Sequence, residues 1–403
     1  MANDDLGRTL RRLRRLASLT QEELAERSDV SVDVIRQLEQ GRKHSARLPT
    51  LHALANGLGV ELTTLLGDPP AVSTGDNDGP RFVAVRRAIM PALGVAEPKA
   101  PGPDFSLSDL REQIADGWTQ YHAAEFDTVM KTLPDMLSDA RTATASPDSA
   151  DQGAGFAALA KALQLAGHVA VRMGKTDLAL IGLERAIDAA GRSTDPLLCP
   201  MIVNSVAWTY QRQGRLGDAL SIALHAADDT KDSGLTGTAD GLKVWGALTM
   251  SAATSAARSN DYERAAALME NAEKEAARVA KLPQGSDSRM VSVFSPSSVR
   301  IERVRLAVQY GHPEEALTLA KGMRLSKDTP PSWRTWLLLD VARAHTDLGD
   351  AEGAVKALES LRRVAPTWMQ HHTLAVAIVR DLWALPNHPA GLRPLAEFLG
   401  VGE

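Results

Sequence analysis

Residues 20–42, near the start of this chain, read TQEELAERSDVSVDVIRQLEQGR. Thr20 and, three residues later, Glu23 form the pattern of a capping box, which predicts that a helix begins at Gln21. Ser31 is a good N-cap for a second helix, whose apolar residues recur at helical spacing. Only a few residues separate the two helices. This spacing predicts two short helices crossing at a steep angle, the geometry of a helix-turn-helix.

Residues 6–66 resemble the DNA-binding domain of the Cro and phage-repressor type, also called the xenobiotic-response-element type. The matching residues are Gln21, Leu24, Ala25, Val30, Ser31, Ile35, Leu38, Glu39, Gly41 and Arg42. One departure is Asp29, at a turn position where the family usually has Gly. Asp tolerates a left-handed backbone better than most residues, so we expect the turn to persist.

The resemblance and the helix signals together divide the chain into three parts. We predict a DNA-binding domain over residues 1–67, a linker over 68–104 rich in Pro, Gly and Asp, and a repeat domain over 105–403. The first domain is predicted to have five helices, at about 6–16, 21–27, 32–40, 50–57 and 62–66. Within the linker, the apolar and basic segment 81–93 can dock as a short helix.

The exposed start of the second helix of the motif is expected to face base edges in the major groove. There Gln37 can pair with adenine, Asp33 can accept from cytosine N4, and Val32 can touch a thymine methyl. Residues beside this helix are suited to phosphates. The predicted DNA contacts are Gln21, Ser31, Val32, Asp33, Arg36, Gln37, Arg42, Lys43 and Arg47. Arg14 and Glu39 correspond to positions that pair in the resembled family, so we assign them a structural role.

The rest of the chain repeats one pattern: a long apolar helix, a Gly or Asn, and a small residue five positions later in a second helix. The pairs are Gly174/Ala179, Gly214/Ala219, Asn260/Ala265, Gly311/Ala316 and Gly349/Ala354, and a degenerate copy occurs at Ala124/Val129. A left-handed turn between two closely packed helices explains these residue types. The pattern resembles the tetratricopeptide repeat, with intervals of 38 to 51 residues instead of about 34. We therefore predict an all-α fold, a repressor-like helix-turn-helix domain followed by a tetratricopeptide-like α-solenoid.

Composition limits the classes of function. The net charge is −5, there is one cysteine, and no run of 18 or more apolar residues suggests a membrane span. We therefore expect a cytoplasmic protein that does not act at a membrane. Residues 6–19 contain five arginines and no acidic residue. This local positive charge can attract DNA phosphates although the net charge of the whole chain is negative.

In solenoids of this type the first helix of each pair lines the concave groove. Counting back from each turn places seven polar or aromatic residues there: Gln164, His168, Asn204, Trp208, Arg258, Arg305 and Arg343. Amides can hold a peptide backbone and arginines can hold carboxylates. The alternative is that these side chains bond to neighbouring helices or are solvated.

Nothing in the chain has the pattern of an enzyme, a metal site or a cofactor site. The order of domains resembles the peptide-sensing Rgg/PlcR-type regulators. That resemblance implies a homodimer on a double-stranded operator, controlled by a peptide or small-molecule effector in the groove. Two alternatives remain open from the sequence: an adaptor whose repeats recruit a protein partner, and a ligand-independent repressor whose repeats only dimerise.

Overall fold

The computed structural model describes residues 5–17, 19–43, 46–60, 65–66, 80–92, 100–283, 294–325, 329–370 and 372–401. Apart from one short 3₁₀ turn at Leu235–Gly237, the regular structure in these ranges is α-helical. The all-α fold predicted from the sequence is confirmed, with a helix-turn-helix domain followed by an α-helical solenoid.

The N-terminal domain contains helices α1 (Asp5–Leu16), α2 (Gln21–Ser28), α3 (Val32–Glu39) and α4 (Leu48–Gly57). The capping box forms as predicted: the Glu23 N–H donates to Thr20 Oγ1 over 3.1 Å, and the Thr20 N–H donates to Glu23 Oε2 over 2.6 Å. Asp29 adopts the left-handed backbone with φ of 53°. The turn therefore persists without glycine. The predicted helix at 62–66 lies largely outside the described residues.

A small core and a partly buried ion pair hold the domain together. Leu10, Leu24, Ile35 and Leu54 are all fully buried. The Arg14 guanidinium donates to both carboxylate oxygens of Glu39, over 2.6 and 2.8 Å, which fixes α1 against the end of α3. This confirms the structural role predicted for the pair, because bidentate contacts of this kind hold a fixed geometry.

A helix within the segment predicted as a linker packs on the repeat domain. Helix α5 (Pro80–Ile89) buries Phe82, Val85 and Ile89 against the long helices that follow. Arg141 and Arg185 donate to the last carbonyls of α5, which would otherwise lack partners. Part of the connection between the domains is therefore fixed to the repeat domain.

In the described parts of the repeat domain, six antiparallel helix pairs are followed by three short helices. The pairs are α6 (Leu107–His122) with α7 (Phe126–Ala143), α8 (Ser149–Arg172) with α9 (Thr176–Gly191), α10 (Leu198–Arg212) with α11 (Leu216–Asp232), α12 (Ala239–Arg258) with α13 (Tyr262–Val279), α14 (Pro296–Gln309) with α15 (Pro313–Ala320), and α16 (Pro331–Asp347) with α17 (Ala351–Val364). Helices α18 (Pro366–Gln370), α19 (Thr373–Trp383) and α20 (Leu392–Leu399) follow.

The turns within the helix pairs have the predicted left-handed backbone and tight packing. The turn residues have left-handed backbones, with φ between 63° and 79° at Ala124, Gly174, Gly214, Asn260, Gly311 and Gly349. The small residue five positions after each turn is completely buried. Helix α8 is long and apolar enough to cross a membrane, but 72% of its apolar window is buried inside the protein, as in a core helix.

The array of pairs curves until its two ends meet. Trp368, in α18, donates its indole N–H to the carbonyl of His122 at the end of α6 over 2.5 Å. The Trp368 and Phe126 rings pack edge to face with centroids 5.7 Å apart, and Ser332 Oγ lies 3.2 Å from His122 Nδ1. The groove expected on the concave side is therefore closed at its ends into a central chamber.

The DNA-binding domain docks on this array through α4 and its flanking loops. Asn56 donates its side-chain amide to the carbonyl of Arg258, and Arg343 donates to the carbonyl of Ala46 over 2.9 Å. The backbone of Gly59 lies against Gly214, close enough that a Cβ on Gly214 would be 3.5 Å from it. Helix α4 is thus held over the mouth of the chamber.

Candidate functional site: a DNA-reading helix and a central cavity

The start of α3 presents an exposed polar surface. Ser31 caps the helix, with its hydroxyl accepting from the Val34 N–H. Asp33, Arg36 and Gln37 are exposed, and Val32 is partly exposed. Since the domain docks through α4, this surface of α3 stays open to solvent. A helix with such an exposed start has the form that enters a major groove.

Charges on this surface are already partly balanced. Arg36 pairs with Asp33 over 2.9 Å and approaches Glu22 at 3.9 Å. The Gln37 side chain has no hydrogen-bond partner among the described residues, so its amide is available to a base edge. The Gln37 amide is therefore available for an outside contact, whereas the Arg36 guanidinium already faces two carboxylates.

The predicted phosphate contacts divide into two groups. Arg42, Lys43 and Arg47 are exposed in the loop after α3. The Gln37 carbonyl fixes the start of this loop by accepting from the N–H groups of Arg42 and Lys43 over 2.9 and 3.1 Å. Gln21 differs, because its side-chain amide donates to Glu39 over 2.8 Å. Its side chain thus supports the Arg14 pair.

The second candidate site is a cavity of about 520 Å³ in the middle of the helix array. This volume lies in the range of small-molecule pockets, about 300–1,000 Å³. The first helices α6, α8, α10, α12, α14 and α16 each contribute residues at helical spacing, and the DNA-binding domain contributes His52 and Leu66. One wall of the cavity therefore belongs to the domain that carries α3.

Six of the seven residues predicted to face a ligand line this cavity. They are Gln164, His168, Asn204, Trp208, Arg258 and Arg305. The structure brings them together because each lies on the inner face of a first helix, as the turn positions indicated.

Arg343 lies outside the lining. It is buried and forms ion pairs with Asp347 over 3.0 Å and with Asp381 over 3.1 Å, besides its bond to the Ala46 carbonyl. Its guanidinium is therefore part of the contact between the two domains.

Several lining residues were missed by the sequence reasoning. On α8, Lys161 and Arg172 share the inner face with Gln164 and His168, at intervals of three and four residues. Extending the same periodicity by one turn in each direction would have found both. His52 could not be found in this way, because its place in the cavity depends on how the domains dock.

The histidines of the cavity are neutral at pH 7. Burial lowers the pKa of His52 and of His372 to about 3 and that of His122 to about 4, with nearby arginines or Lys161 acting in the same direction. Burial also lowers the pKa of His168 well below its usual value. These imidazoles therefore act as hydrogen-bonding and stacking groups, not as cations.

The carboxylates of the lining lie at one end of the cavity. Glu302 and Asp340 are buried on either side of Arg305, at 3.3 and 3.6 Å. The Thr254 hydroxyl donates to Glu302 over 2.6 Å. Burial raises the pKa of Asp340 to about 7, with Arg305 opposing the shift. The positive charge of Arg305 is thus compensated from within the protein.

An exposed recognition helix in a repressor-like fold defines a DNA-binding protein of the helix-turn-helix class, here joined to an α-helical solenoid. In agreement with this class, residues 5–66 match the model of a helix-turn-helix domain family. No curated protein is significantly similar to the chain in sequence. Among solved structures, BtubC (BKLC) from P. vanneervenii aligns at 17% identity and a TM-score of 0.36, over 65% of this chain and 93% of that one.

Proposed function

We propose that the protein is a cytoplasmic, sequence-specific transcriptional regulator whose operator binding is controlled by an effector in the central cavity. The active species is a homodimer that presents two α3 helices to half-sites about one helical turn apart. The repeat array serves as the sensor, in the manner of a tetratricopeptide-like domain. In this proposal the protein is a regulator and not an enzyme.

The observation that carries the proposal is the position of α4. This helix belongs to the helix-turn-helix domain, yet its His52 forms part of the cavity wall. Burial leaves His52 Nδ1 without a hydrogen-bond partner among the described residues. A molecule entering the cavity therefore meets the DNA-binding domain directly.

This contact gives the effector a means to act on DNA binding. A ligand shifts an equilibrium only if its affinity differs between the two states. In the docked state the ligand contacts His52, and in a released or tilted state it does not. Occupancy of the cavity therefore changes the free energy of docking, and with it the spacing of the two α3 helices.

The proposal is tested by footprinting the full-length protein on the DNA upstream of its own gene, with and without cell extract. We expect a protected palindrome with half-sites about one turn apart, and protection that changes with extract. The absence of any protected sequence would refute the regulator assignment. Protection that is identical with and without extract would refute effector control, and it would leave the ligand-independent repressor as the function.

A further inference from the structure

The charges that line the cavity are unequal. Five cationic side chains face it, but only two carboxylates do among the described residues. Both carboxylates lie beside Arg305 at one end. Lys161 and Arg172 on α8 also line the cavity, and no described carboxylate lies within 4.0 Å of either charged group. Buried cations without paired carboxylates are costly, and a negative ligand offsets that cost.

Lys161 is placed to receive such a charge. Its side chain lies deep in the protein but keeps part of its surface on the cavity. The ammonium donates to Gln164 Oε1 over 3.1 Å and lies 5.2 Å from the centre of the Trp118 ring. One donated bond leaves two of its three N–H groups for a ligand.

Two residues of the same lining carry an unpartnered polar atom. Trp118 is 5% exposed, and its indole Nε1 has no hydrogen-bond partner in the described structure. Asn204 Oδ1 is likewise buried and without a partner. A buried donor next to an ammonium suits an acidic oxygen, and a buried acceptor suits a ligand N–H or O–H.

Aromatic rings lie beside these two cations, Lys161 and Arg172. The rings of Trp118 and His168 are 4.9 Å apart, and those of His168 and Trp208 are also 4.9 Å apart. Arg172 lies over Trp208, 5.4 Å from the ring centre. The rings contact one another and form one aromatic surface, and such a surface packs favourably against the ring of an aromatic ligand. Because the array closes on itself, the chamber suits a compact molecule better than an extended chain.

We propose that the effector is a planar organic anion, with its acidic group bound by Lys161 and the Trp118 indole N–H and its ring system packed beside Trp208. This inference rests on the proposed function, since it assigns a chemical class to the effector. Asn204 accepts a hydrogen bond from the ligand. Arg172 adds positive charge to the same side of the cavity.

Matched fluorescent probes test the acidic group. 1-Anilinonaphthalene-8-sulfonate and N-phenyl-1-naphthylamine share their rings, but only the first carries a negative charge. We expect the full-length protein to bind the sulfonate at least tenfold more tightly at pH 7, and Lys161→Gln to remove most of this preference. Lys131→Gln, at an exposed site on α7, serves as the matched control and should behave as wild type. Circular dichroism and thermal unfolding confirm that each variant is folded.

The pH dependence provides a second readout. Burial lowers the pKa of Lys161 to about 8, with Asp195 opposing the shift. The charged or titratable groups around Lys161 are Asp195 before α10, His122 on α6, and His168 and Arg172 on α8. The two imidazoles are already neutral at pH 7. Affinity for the sulfonate should therefore fall about tenfold per unit above pH 8 in the wild type, and stay flat in Lys161→Gln.

Equal binding of the two probes, or a charge preference that survives in folded Lys161→Gln, would overturn the assignment of a planar anion. These titrations use no DNA, so they are independent of the footprint. A charge preference with a footprint that ignores extract would keep the ligand class and refute effector control. A footprint that responds to extract without any charge preference would keep effector control and refute the assignment of a planar anion.

Discussion

Replacing Gln37 with Ala should lower the affinity for the operator without affecting the fold. Gln37 is exposed at the start of α3, and its side chain contacts no described hydrogen-bond partner. Its loss therefore removes only a contact to DNA. A bidentate contact to adenine discriminates by about 1–3 kcal/mol, which is about 5- to 150-fold in affinity per half-site. A homodimer carries one Gln37 in each half-site, so the loss in free energy on a full palindrome is about twice as large.

Fluorescence anisotropy with two duplexes, one carrying the footprinted operator and one scrambled, measures this effect. We expect Gln37→Ala to lose affinity for the operator duplex and to keep its affinity for the scrambled one. Gln113→Ala changes an exposed glutamine on α6 and should affect neither. Equal losses on both duplexes would refute base reading by Gln37 and would make it a backbone contact instead.

Three further predictions concern phosphate binding, the fold of the first domain and the buried acid. Lys43→Ala should weaken binding to operator and scrambled duplexes equally and reduce the slope of log K against log salt by about 1, whereas an unchanged slope would exclude a phosphate contact. Glu39→Ala leaves the partly buried Arg14 without its ion pair and should destabilise the domain by about 3 kcal/mol in urea unfolding, so a change below about 1 kcal/mol would contradict the role of the pair. In the folded chain the pKa of Asp340 is about 7, whereas that of an unfolded Asp is about 4. The free energy of unfolding should therefore fall as the pH rises between these values, because the unfolded state binds fewer protons. In Asp340→Asn this fall should be smaller.

The sequence predicted the local features well because local chemistry determines them. The capping box at Thr20, the left-handed turn at Asp29 and the turns of the repeats all follow from residue type at a fixed spacing. The inner faces of the first helices follow from the same periodicity, which is why six of the seven predicted ligand residues lie together.

Two contacts between residues far apart in the chain could not be predicted from the sequence. The contact between Trp368 and His122 closes the array, and it joins residues 246 positions apart. The bond of Arg343 to Ala46 joins residues 297 positions apart and takes that arginine out of the cavity lining. Neither contact leaves a periodic signal, since each depends on the summed curvature of all the helix pairs.

If the cavity controls DNA binding through His52, an operator titration with and without cell extract will reveal it. In the wild type we expect extract to change operator affinity by about 5- to 150-fold, the usual range of coupling between sites. In His52→Ala the ratio of affinities with and without extract should be much closer to one, because the ligand loses its contact with the helix-turn-helix domain. His225→Ala, at an exposed histidine on α11, should respond as wild type. An equal response to extract in His52→Ala and in the wild type would contradict the account.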